Sequence, residues 1–208
     1  MVGSIAIADL PLLMPLGFEA IWPKPLGEME ATDISAIVQS APEAAERDEG
    51  MQKVVRSLLR AGGYKPSGRG KPASEYLQRA AGEGPLPTIN PAVDILNAVS
   101  LVSGIPISVV DLDLVQAPLS VRNGDEGAEY IFNASDQTIK VEGLLCLHDK
   151  QGPCATAVKD SQRTKTTPGT TRTLTWLWAP KASESISQAA FDWLCEATRQ
   201  AGAQVRIL

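Results

Sequence analysis

Hydroxyls and cations dominate residues 158–173, Val-Lys-Asp-Ser-Gln-Arg-Thr-Lys-Thr-Thr-Pro-Gly-Thr-Thr-Arg-Thr. The run holds one acid, Asp160, and one Pro-Gly turn. It lies between two segments that read as strands. So many donors in one place suit an oxygen-rich ligand such as a phosphate, ribose or carboxylate. Lys and Arg supply charge, and Arg can bind an oxyanion through two parallel bonds. Composition alone slightly favours a plainer alternative, a solvated Thr-rich edge hairpin.

A second polar set falls on a helix. Asn90 followed by Pro91 is a cap and first-turn signal. On the helix that follows, Asn90, Asp94 and Asn97 line one side, and Ile95, Val99 and Val102 form an apolar side. A polar stripe beside a core face suits a cavity wall; it fits a solvent-facing stripe equally well.

Several chemistries are excluded. The chain has one histidine, His148, and three cysteines, Cys146, Cys154 and Cys195, with no C-x-x-C. That leaves no zinc set, and the thiols read as reduced and buried. P-loop, dinucleotide and nucleophile-elbow fingerprints are missing, so neither metal nor cofactor is expected. Asp111 and Asp113 could hold a divalent ion at a strand end, but one inward and one outward acid is the simpler reading. The remaining donors are Asn90, Asn97, Ser100, Arg122, Ser161, Arg163, Thr164 and Lys165, with Asp94, Asp111 and Asp160 as acids. Such a set suits an amino acid ester or a nucleotide end. The net charge of −5 argues against non-specific nucleic-acid binding, yet allows a local basic face.

The elements that must position these groups come in blocks, so the fold class expected is α+β. Residues 5–8 read as a strand. Met51, Val54, Val55, Leu58 and Leu59 keep helical spacing. A Gly- and Lys-rich loop at 62–71 carries three cations and could be a linker or wrap a ligand. A short helix is expected over 72–81, ending at Gly82. The second half predicts strands at 107–111, 119–122, 130–132, 138–141, 144–147, 155–158 and 173–178. A final helix bearing Ile186, Ala190, Trp193 and Leu194 stops at Gly202, and a closing strand covers 204–208. No window approaches a membrane span, and a reduced, cytoplasmic setting is expected.

Taken in order, Lys71-Pro72-Ala73-Ser74-Glu75-Tyr76-Leu77, the stretch from Leu86 through Asn90-Pro91 to Asn97, Ile105-Pro106-Ile107 up to Asp111-Leu112-Asp113, and residues 160–171 resemble the B3/B4 domain. This is the editing module in the β subunit of bacterial phenylalanyl-tRNA synthetase, and it also occurs as freestanding proteins of about this size. The resemblance covers about 71–178 and implies one B3/B4-type domain over 1–208, with mixed or antiparallel sheets and flanking helices. It implies a trans-acting hydrolase that deacylates a mischarged tRNA, with the aminoacylated 3′ end of tRNA and an amino acid moiety as partners. The alternative is a non-catalytic tRNA- or amino-acid-binding module of the same fold. On the catalytic reading, Asp94, Asn97 and Asp111 would hold the α-amino group or the water, with Asp160 as a further catalytic residue. Asn90, Ser100, Ser108, Arg122, Ser161, Arg163, Thr164 and Lys165 would bind substrate. The synthetase lines its editing pocket with a threonine, a histidine and a glutamate. The matching places here hold Leu96, Ser108 and Trp176, so tyrosine specificity does not carry over.

Overall fold

The structure is a computed structural model, and it describes residues 5–208. Two four-stranded sheets organise the chain. The first has the order β1 (Ala6–Ile7), β4 (Ser120–Asn123), β7 (Leu145–Asp149), β8 (Gly152–Thr156). Its β1–β4 pair is parallel and the others are antiparallel. The second is antiparallel throughout, in the order β10 (Gln204–Ile207), β2 (Leu13–Ile21), β9 (Arg172–Pro180), β3 (Ile107–Asp111). A separate hairpin joins β5 (Glu129–Ile131) to β6 (Thr138–Lys140).

Five helices flank the sheets: α1 (Ile34–Gln39), α2 (Met51–Arg60), α3 (Ala73–Glu83), α4 (Pro91–Ser103) and α5 (Glu184–Gln200). The periodic apolar residues of α2 (Met51, Val55, Leu58, Leu59) and α5 (Ala190, Phe191, Trp193, Leu194) are all buried. α5 packs on the second sheet, with the Phe191 ring 6.1 Å from that of Phe18 on β2. Buried apolar side chains from both sheets and from α2, α4 and α5 form one connected core. No helix among the described residues is long and apolar enough to cross a membrane.

The α+β expectation, with mixed and antiparallel sheets, matches this architecture. Two local expectations need correction. Residues 158–173 do not form a hairpin: β8 and β9 belong to different sheets, so the run is a crossover between them. It is shaped by a 3-10 turn at Gln162–Thr164. Gly82 does not end α3, which continues to Glu83 and is capped at Gly84. Finally, β2 and α1 carried no expectation. Pro11, Pro15 and Gly17 masked β2. Yet Pro15 pairs only with β9, because β10 covers no more than Phe18–Ile21. A proline whose other side has no partner strand costs the ladder nothing. Gly17 lies opposite Trp176, and a Cβ there would stand 2.6 Å from the indole. The glycine makes room for the ring.

Candidate functional site

The crossover, the β3 edge and the β5–β6 hairpin converge on Asp160. Its Oδ1 accepts the Ser108 hydroxyl at 2.7 Å and the Thr156 amide at 3.1 Å. The backbone amide of Val109 also favours the charged form of this carboxyl. That amide lies on the open edge of β3, the last strand of its sheet. Ser108 is itself oriented by the Trp178 indole N–H, which donates to its oxygen at 2.9 Å. Asp160 as a residue keeps some solvent contact, while protein encloses its carboxyl. Burial pushes that carboxyl up to about 6, against the opposing effects of Ser108, the amides and Lys165.

A group of cations includes Lys165, which acts on this acid. Lys165 donates to the Phe132 carbonyl at 2.5 Å, and Lys159 Nζ stands 3.8 Å over the centre of the Phe132 ring. Burial lowers the Lys159 pKa, and repulsion from Arg69 and Lys165 lowers it further. Among the described residues none of Arg69, Lys159 and Lys165 lies within ion-pair distance of a carboxylate. Tyr130 completes the wall. Its hydroxyl lies against the Lys159 carbonyl and 3.1 Å from Thr156 Oγ1. Thr156 in turn donates to the Lys159 carbonyl at 2.9 Å and accepts the Lys159 amide at 3.2 Å. The backbone at Lys159 is therefore fixed on both sides.

The rest of the crossover is bracing. Arg163 meets Asp149 through two bonds of 2.8 and 2.9 Å. Burial alone would raise the Asp149 carboxyl, but Arg163 and the amides of Gln116 and Gln151 hold it below its ordinary value. Ser161 Oγ accepts the Arg163 amide, and Thr164 donates to the Cys154 carbonyl at 3.2 Å. Thr170 donates to Asp111 at 2.5 Å, and the other Asp111 oxygen accepts the Asp113 amide at 2.8 Å. Asp111 is buried and Asp113 is exposed beside Arg172, the inward and outward pair expected at a strand end. Arg122 lies on β4, bound twice to Asp125 at 2.6 and 3.0 Å.

Helix α4 supplies a second wall. Asn90 caps it, accepting the Val93 amide at 3.1 Å, and reaches the crossover by donating to Thr166 at 3.2 Å. Asp94 accepts the Ile89 amide at 2.8 Å, while its other oxygen is buried with no partner among the described residues. Desolvation raises the Asp94 pKa. Ser100 donates to the Ile105 carbonyl at 2.7 Å. Asn97 and Leu96 face an apolar groove between α3 and α4.

Of the residues singled out from sequence, Ser108, Asp160 and Lys165 come together. Asn90 touches the same crossover, and Asn97 lies on the neighbouring groove. Ser100, Asp111, Ser161, Arg163 and Thr164 spend polar atoms on bonds within the chain. Lys159, Thr156, Tyr130 and Phe132 were not singled out. Lys159 stood in plain view inside the run, and Arg69 in the cationic loop at 62–71. Nothing local in the sequence tied β5 to them.

The family model described as B3/4 domain matches residues 66–184. Among solved structures, the chain is similar to an N-terminal fragment of the phenylalanyl-tRNA synthetase β subunit from Pyrococcus horikoshii. The identity is 14% and the TM-score 0.45, covering 55% of this chain and 41% of that one. This chain thus spans less than half of that fragment. No curated protein matches. With the family model covering more than half of its length, the chain belongs to the B3/4 domain family.

Proposed function

We propose that this protein hydrolyses the ester of an aminoacylated tRNA, acting in trans. One observation carries the reading. The Asp160 carboxyl, pushed by burial up to about 6, lies close to Lys165, which belongs with Arg69 and Lys159 to a group of cations that have no ion-pair partner among the described residues, in a chain of net charge −5. Arg69, Lys159 and Lys165 suit the phosphates of a nucleic-acid end, and their clustering supplies the local basic face that the overall charge conceals. Asp160 then takes a proton from a water that attacks the ester carbonyl carbon. The bond from that carbon to the ribose oxygen breaks, the ribose oxygen receives a proton, and free amino acid and tRNA leave. Lys165, close to Asp160, offers a donor to the developing oxyanion; a well-placed donor of this kind lowers such a barrier by about 3–4 kcal/mol. Asn90 and Asn97 hold the aminoacyl end. Substrate of this kind places the protein in the cytoplasm.

The residues Leu96, Ser108 and Trp176 favour a second reading, a module that binds tRNA or an amino acid without turnover. They stand where the synthetase keeps a threonine, a histidine and a glutamate, and none is an acid or a base. Incubating the purified chain with a panel of tRNAs, each charged with a different radiolabelled amino acid, separates the two. Release of at least one amino acid, lost in Asp160→Asn, supports hydrolysis. Saturable, salt-sensitive tRNA binding without release from any member of the panel leaves the binding module.

A further inference from the structure

The groove between α3 and α4 has a volume of about 330 Å³, near the lower end of the roughly 300–1,000 Å³ typical of ligand pockets. Leu77, Leu86, Leu96 and Ile107 dominate its walls, and no charged side chain lines it. Three polar side chains do, and two are committed. Tyr76 donates to the Gly68 carbonyl and Ser100 to the Ile105 carbonyl, each at 2.7 Å. Asn97 is half-buried, and its amide makes no hydrogen bond among the described residues. The groove is thus an apolar recess with one amide left to read a neutral polar group.

Its position ties it to the cations. Tyr76 holds the turn Gly68–Gly70, which carries Arg69. Ala73, on the groove wall, donates its amide to the Ala157 carbonyl at 2.8 Å, two residues before Lys159. Ile107 lines the groove, and the next residue, Ser108, bonds Asp160. Groove and cation cluster therefore meet along the open edge of β3.

We infer that this groove receives the amino acid side chain of the ester and selects an uncharged, apolar one. The inference rests on the deacylase reading above and adds to it the class of amino acid. Entry of a lysine or aspartate side chain would strip its charge of water against walls that offer no counter-charge, which is costly. An aliphatic or aromatic side chain exchanges water for the leucines, and Asn97 meets the polar backbone of the amino acid.

Calorimetry on the full chain tests this with adenosines carrying leucine, lysine or aspartate through a hydrolysis-resistant 3′-amide. The leucyl compound is expected to bind at least tenfold more tightly than the other two, and Asn97→Ala to weaken it severalfold. Leu96→Asp should reverse the order of leucyl and lysyl compounds. If that variant does not fold, the ranking on the native chain decides alone. Equal binding of all three, tighter lysyl or aspartyl binding, or no binding overturns the inference. Turnover is scored separately. Release of lysine alone from charged tRNA would sink the selectivity and leave the hydrolase, whereas tight leucyl binding without release of any amino acid would do the opposite.

Discussion

Asp149 and Asp160 sit at the two ends of β8, one just before it and one just beyond, and the same crossover serves both. At Asp149 the crossover delivers Arg163 at 2.8 Å, and the carboxyl is held below its ordinary value. At Asp160 it delivers Lys165, which turns its ammonium to the Phe132 carbonyl, and the carboxyl rises to about 6. Both acids accept backbone amides. Two things differ: burial weighs most on the Asp160 carboxyl, and its cation does not close on it. A closed pair fixes the loop and gives up its reactivity. An acid with its cation held off stays poised to exchange a proton near neutral pH, which general-base catalysis requires.

Asp160→Asn is the sharpest way to break this contrast. Single-turnover deacylation should fall by about 10²- to 10⁴-fold, the range general-base removal typically costs. The same change should alter stability in a pH-dependent way. Because folding raises the Asp160 pKa, ionisation disfavours the native state. Wild-type stability should therefore drop as pH rises through the window from about 4 to about 6. The variant lacks that drop, so its stability relative to wild type should climb across the window and level off above it. Parallel urea titrations at several pH values would show this; a flat difference would refute the poised acid.

Arg163→Ala attacks the closed pair. It leaves the enclosed Asp149 carboxylate without its cation, at a cost of roughly 3 kcal/mol at neutral pH. The depressed Asp149 pKa sets the sign on the acid side. The pair's contribution is full above about pH 4 and fades below it, so the variant's deficit should shrink on acidification. Denaturant midpoints at pH 7 and pH 3.5 measure that.

Gly17→Ala probes the floor beneath Ser108 without touching either acid. A methyl 2.6 Å from the Trp176 ring forces that ring to move, an overpacking that costs about 1–3 kcal/mol. Thermal melts should show the loss. If Trp176 shifts Ser108, the pH midpoint of turnover shifts with it. The smallest effects belong to the cations. Arg69→Ala, Lys159→Ala and Lys165→Ala should each reduce by about one the slope of log affinity for tRNA against log salt. An unchanged slope in all three would move the phosphate contacts elsewhere.

Much of this was legible from residue order. Helix α4 announced itself through Asn90-Pro91 and its apolar periodicity, and most strands of the second half lie within a residue or two of their expected positions. Local chemistry specified those elements. What escaped depended on partners distant in sequence. β2 is a strand because β9 and β10 make it one, in spite of Pro15. The hairpin expected at 158–173 failed because adjacency in sequence says nothing about which sheet each strand joins. Asp160, Ser108 and Lys165 were recognised as polar groups of interest. That Arg163 would close on Asp149 while Lys165 stood off Asp160 was beyond the sequence, because the decision is made by Phe132, on a hairpin whose own pattern is weak.

The carboxylate beside Val109 has a further consequence, for solubility. β3 ends its sheet, and a bare strand edge invites the backbone of another molecule to join it. Asp160 meets that edge with negative charge, close enough for the Val109 amide to act on its carboxyl. Asp160→Ala should therefore cluster at concentrations where Asp160→Asn, which keeps an oxygen at the position, stays dispersed. A static light-scattering concentration series would tell them apart.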